Sequence, residues 1–122
     1  MVKKEILIVN YQTLGGDIEK EFTILIGESA KENTQLIKDS NPDDLWFHFE
    51  NVSSPHIILE CGTHFIQKNY INEVARKLFK YKKNVPRNES VIYTEIKNVT
   101  LTKTDGLVIP KNIMVIKFNE KK

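Results

Sequence analysis

The chain has one cysteine, Cys61, in 122 residues. No internal disulfide can form, and nothing in the composition points to an oxidising compartment. Long apolar runs are missing as well. The N-terminal apolar stretch is only Ile6 to Val9, bracketed by Glu5 and Asn10. That is too short for a signal-peptide core, and no stretch approaches the roughly 20 residues of a membrane span. The Asn-x-Ser/Thr triplets at Asn51, Asn88 and Asn98 are then expected to be chance matches. A cytoplasmic location follows by default, and no membrane partner is expected. Low-complexity tracts, internal repeats and long linkers are also lacking, which leaves a single domain over residues 1–122.

The common enzyme signatures are missing too. There is no G-x-G-x-x-G, no P-loop, no H-E-x-x-H and no nucleophile elbow. His56, Cys61 and His64 lie close in sequence, but their spacing fits no common zinc module, and a structural zinc site wants four ligands. Asp43 and Asp44 are adjacent at a turn, where carboxylates usually cap the backbone. No catalysis, metal or cofactor is expected.

What is present is a polarised charge distribution. Residues 1–60 carry 5 Lys/Arg and 11 Asp/Glu, a net of −6; residues 61–122 carry 13 and 5, a net of +8. Such a chain either presents an electropositive face to a polyanion or interleaves its halves so that the charges mix.

The hydrophobic pattern predicts an α+β fold: a mixed or antiparallel sheet with one long and one short helix packed on it. Strands are expected at residues 4–11 and 22–26, joined through Gly15-Gly16. A short helix over 30–38 is capped by Ser29, with Glu32 completing a capping box. Residues 45–49 alternate, with Leu45, Phe47 and Phe49 on one face and Trp46 and His48 on the other. Trp46 is expected in the core, under the long helix if that covers this face, and His48 nearer the surface. A strand over 56–61 follows the Ser53-Ser54-Pro55 turn. Ile71, Val74, Ala75 and Leu78 mark the long helix, over 69–83. Strands close the chain at 90–96, continued past a bulge by 99–101, then at 107–109 and 113–118.

Residues 74–88 contain Arg76, Lys77, Lys80, Lys82, Lys83 and Arg87 and no Asp or Glu. Arg76, Lys80 and Lys83 are spaced to share the helix face opposite the apolar stripe. Together they can meet a phosphate backbone, Lys as a point charge and Arg as a fork.

Asp44-Leu45-Trp46-Phe47-His48 followed by Ser54-Pro55-His56-Ile57-Ile58-Leu59 resembles the signature of the NFACT-R domain family. Thr23 to Gly27, Glu32-Asn33, Val74-Ala75 with Lys80, and Val91-Tyr93-Thr94 with Val99 and Lys103 fall in the family's order. Glu28 departs from it, since larger members usually carry a basic residue after that glycine. The resemblance implies an RNA-binding module, with tRNA or rRNA as partner and a link to translation and ribosome quality control. DNA is the alternative polyanion. A protein partner would have to supply the functions of the family's other domains. Arg76, Lys77, Lys80, Lys83, Arg87 and Lys103 are the expected RNA contacts, with His48 and His56 at or beneath the site. The rival expectation is a protein-interaction module, marked by a sizeable exposed apolar patch.

Overall fold

A computed structural model describes residues 2–118. The chain opens with a long hairpin, β1 (Lys3–Thr13) and β2 (Gly16–Gly27). Next come α1 (Ala30–Asp39), β3 (Leu45–Phe49), β4 (His56–Leu59) and α2 (Lys68–Tyr81). β5 (Val91–Glu95) leads through one 3-10 turn, Ile96–Asn98, into β6 (Val99–Leu101). β7 (Val108–Pro110) and β8 (Met114–Ile116) complete the described residues. Six strands form one sheet in the order β1-β2-β4-β3-β5-β8, and β6 and β7 pair apart as a small ribbon. Every pairing is antiparallel. The fold is α+β, as the sequence predicts.

Alternation along the strands divides the core into two layers. Leu7, Phe22, Ile24, Phe47, Phe49, Ile57 and Leu59 point to one face and bury the α2 stripe of Ile71, Val74, Ala75 and Leu78. Trp46, Ile58 and Ile92 point to the other face, where Leu36 and Ile37 of α1 and Ile96 cover them. The β6–β7 ribbon extends this second cover through Val99, Leu101 and Val108, and Gly106 N–H donates to Thr34 Oγ1 at 2.8 Å. Burying each such aliphatic side chain contributes roughly 1.5–3 kcal/mol, so both layers hold the sheet.

Four expectations are corrected. The helix over Trp46 is the short α1, because the long α2 already occupies the opposite face. α2 ends at Tyr81, and Lys82, its C-cap, is extended. Lys83 therefore lies beyond the helical periodicity that would align it with Arg76 and Lys80. Val99–Leu101 does not continue β5: the 3-10 turn redirects it into the separate ribbon. The opening hairpin is longer at both ends than its apolar residues suggest, because pairing from Lys3↔Ile26 to Thr13↔Gly16 carries the polar Asp17–Glu21 stretch along.

Candidate nucleic-acid interface

β2 ends at Gly27, directly against α1. A Cβ there would overlap Asn33 Oδ1 and stand 2.9 Å from Leu36 Cδ1, so only glycine lets the helix approach this closely. The next residues start α1. Ser29 Oγ accepts the Glu32 N–H at 3.1 Å, and Glu32 Oε1 reaches back to accept the Glu28 N–H at 3.0 Å, a variant of the expected capping box in which the glutamate holds the residue before the N-cap.

Gly27 pairs with His56 across the β2–β4 ladder, bringing the Ser53–Pro55 loop beside the α1 start. Ser54 Oγ accepts the Phe49 N–H at 3.1 Å and donates to the Pro55 carbonyl at 2.6 Å. The end of α2 forms the next wall. Lys82 Nζ donates to Ser53 Oγ at 3.3 Å. Asp105, Gly106 and Leu107, from the loop between β6 and β7, form the last wall of a cleft of about 500 Å³.

His56 follows the cleft residue Pro55, and on the α1 side of the sheet it forms one aromatic group with Trp46 and His48. The Trp46 indole N–H donates to His56 Nδ1 at 3.1 Å. The His48 ring stacks on Trp46, with centroids 5.4 Å apart, and meets His56 edge-on at 5.0 Å. His48 Nδ1 faces the Phe49 carbonyl. A carbonyl only accepts, so that nitrogen carries the hydrogen. His56 Nδ1 accepts from Trp46, so neutral His56 carries its hydrogen on Nε2. Burial, with a smaller contribution from His48, pushes His56 down to about 3. Burial also lowers His48, against the opposing hydrogen bond to Phe49. Asp44 is a clamp: its two oxygens accept the Asn41 N–H at 3.0 Å and the Gly62 N–H at 2.9 Å.

The cations gather around Tyr81. Lys3 Nζ and Lys80 Nζ lie 5.6 and 5.4 Å from its ring centroid. Glu5, from β1, accepts from Lys77 and Lys80 at 2.8 Å each and from the Tyr81 hydroxyl. Those bonds hold the Glu5 carboxyl at about 2. Lys3 also pairs with Glu28 at 3.5 Å, so the departure at position 28 brings a carboxylate to the cleft wall.

The expected contacts are thus dispersed. Lys80 stands near the cleft, while Lys77 is half-buried against Glu5. Arg76 is exposed on α2 and holds its guanidinium 5.2 Å from the Phe118 ring centroid. Lys83 and Arg87 are exposed in the segment after α2, and Lys103 is exposed in the loop that supplies the cleft's last wall. His56 is buried and His48 half-buried, on the α1 side of the sheet. Sequence reasoning missed Lys3 and Tyr81, and did not place Lys82 in the site. Lys3 lies far from the basic segment in sequence, and Tyr81 carries no charge to flag it. Among the described residues, no group of three or more His, Cys, Asp or Glu is arranged to hold a metal. No helix among them is long and apolar enough to cross a membrane.

Residues 11–117 match the family described as the NFACT protein RNA binding domain. The chain belongs to this family. Coiled-coil domain-containing protein 25 of Bos taurus is 38% identical over 52 residues, covering 43% of this chain and 25% of that protein. The Danio rerio protein of the same name is 27% identical over 82 residues, covering 67% of this chain and 38% of that one. The chain therefore matches well under half the length of these relatives. Among solved structures, the C-terminal part of the fibronectin/fibrinogen-binding protein from Streptococcus suis superposes with a TM-score of 0.71 at 17% identity, covering 93% of this chain and 45% of that one. At that identity the likeness supports the fold alone. In this NFACT-R domain, Trp46, Ser54 and His56 make hydrogen bonds next to the cleft, while Asp44 ties the Asn41 and Gly62 segments at the other end of β3.

Proposed function

We propose that this domain binds structured RNA, tRNA or rRNA, without catalysis, along the cleft at the end of its sheet. A place in translation or ribosome quality control is part of the proposal and rests on family membership. One observation carries the choice of surface. Lys3 and Lys80 flank the Tyr81 ring, and Lys82 lines the cleft with Tyr81 where α2 ends beside the signature residues Ser54 and Pro55. Lys80, Lys82 and Lys83 supply phosphate contacts. Arg76 extends the line along α2, Lys103 approaches from the opposite wall, and Arg87 follows in the loop. Lys77 serves as a neutralised support for Glu5, while His48 and His56 shape the floor.

Filter binding against tRNA, rRNA fragments and duplex DNA tests this reading. Lys82→Glu with Lys83→Glu is expected to weaken RNA binding by roughly tenfold or more, since two phosphate contacts become repulsive. Unchanged affinity in a folded double variant would overturn the assignment. The protein-interaction reading draws on a different observation: Leu107, Ile109, Ile113, Met114 and Val115 are all exposed. A folded protein that binds none of the three nucleic acids would favour it.

A further inference from the structure

Among the described residues, β1 is an edge strand of 11 residues, paired on one side only, with β2. Its outward side can be read from the hydrogen bonds. Asn10 N–H leaves the ladder and donates to the Tyr70 hydroxyl at 3.1 Å. The next ladder agrees, because the Thr23 carbonyl opposite Ile6 points the other way, accepting from Glu60 N–H at 2.9 Å. Backbone N–H and C=O groups of Lys4, Ile6 and Ile8 therefore point outward along the free edge. The side chains of Ile6 and Ile8 are 52% and 49% exposed. A long edge carrying two exposed β-branched residues is a template for another strand.

Charge selects the occupant. Lys3 and Lys4 stand at one end of β1, while Asp17, Glu19 and Glu21 of β2 stand beside its other half, across from Gln12, Asn10 and Ile8. The edge thus has a basic end and an acidic end. We propose that two copies of this chain pair through β1 in antiparallel register, with Leu7 opposite Leu7 of the second copy. The outward parity makes Ile6 and Ile8 of the second copy a hydrogen-bonded pair, and the reverse, so four isoleucines form one apolar patch across the seam. The same register sets Lys4 opposite Asn10 of the second copy, where the ladder stops because Asn10 N–H stays with the Tyr70 hydroxyl, and Glu19 and Glu21 of that copy come within reach of the lysine. The contact occurs twice, as a two-fold interface requires. It joins two six-stranded sheets into one.

Sedimentation of the whole chain over a wide concentration range tests this, together with amide hydrogen exchange. The wild type is expected to form dimers in which the Ile6 and Ile8 amides become protected. Lys4→Glu alone should lose the dimer, and so should Glu19→Lys with Glu21→Lys. An equimolar mixture of the two variants should recover it, since each mixed pair restores both contacts. These positions are exposed, and circular dichroism checks that each variant folds. A wild type that stays monomeric would overturn the proposal. So would a dimer whose Ile6 and Ile8 amides exchange freely, or a mixture that fails to associate. The last two results would place the contact elsewhere, as on the exposed residues of β7 and β8.

Discussion

Replacing Trp46 with alanine would empty a fully enclosed site and also remove the donor to His56 Nδ1. The expected loss is about 3–5 kcal/mol. Trp46→Phe keeps most of the apolar volume but leaves the histidine nitrogen unbonded, for about 1–3 kcal/mol. Denaturant titration of both variants separates packing from the hydrogen bond; a Trp46→Phe loss near zero would show that the bond contributes little. His48→Ala, half-exposed, is expected to cost less than Trp46→Ala. The histidines also set an acid limit. His56 has a folded value of about 3 against an ordinary 6.5, so the unfolded chain takes up the proton first. Stability is full above about 6.5 and falls as pH drops towards 3, by about 1.4 kcal/mol per pH unit for this one group. His48 is lowered too and adds in the same direction. His56→Gln should flatten the upper part of that window in a denaturation series. Period-two alternation made the two faces of β3 legible in the sequence. The Trp46–His56 bond was not legible, because it depends on β3–β4 register: Trp46 faces Ile58, which sets His56 two residues along on the same face.

Between elements, the clearest tie is the one from β1 to α2 through Glu5. Glu5→Gln keeps the shape and removes the charge that Lys77, Lys80 and Tyr81 share. Lys80 is largely exposed, which limits the loss to about 1–2 kcal/mol. Because the carboxyl sits at about 2 rather than 4.5, its contribution is present above about 4.5 and is lost as pH falls through 2. Thermal melts of wild type and Glu5→Gln should converge at the acid end, and a constant gap would refute the charge assignment. The apolar stripe of α2 was plain from its spacing. Its counter-charge was invisible, since local i, i+4 reasoning cannot find a glutamate 72 and 75 residues away. The same limit hid the hairpin's length: Asp17–Glu21 has the composition of a loop, and only pairing with β1 makes it a strand.

For the molecule as a whole, the acidic half and the basic half interleave: Glu5 meets α2, and Asp43 meets Lys97 at 3.1 Å. Polyanion binding therefore rests on a limited set of cations. If four phosphates of a loop or single strand are contacted, the log–log dependence of affinity on salt should have a slope of about −3. A slope near zero in filter binding would exclude an electrostatic contact. Fold class was legible because strand and helix periods differ along the chain. The strand order and the cleft were not, because they arise where distant segments meet. Trp46 is the chain's one tryptophan, wedged between the sheet and α1 with its indole bonded to a titratable ring. The molecule therefore contains its own optical reporter. Shifts in Trp46 emission follow the opening of the sheet–helix junction, and quenching on acidification records the arrival of protons at the two rings it touches, His48 and His56, with no added label.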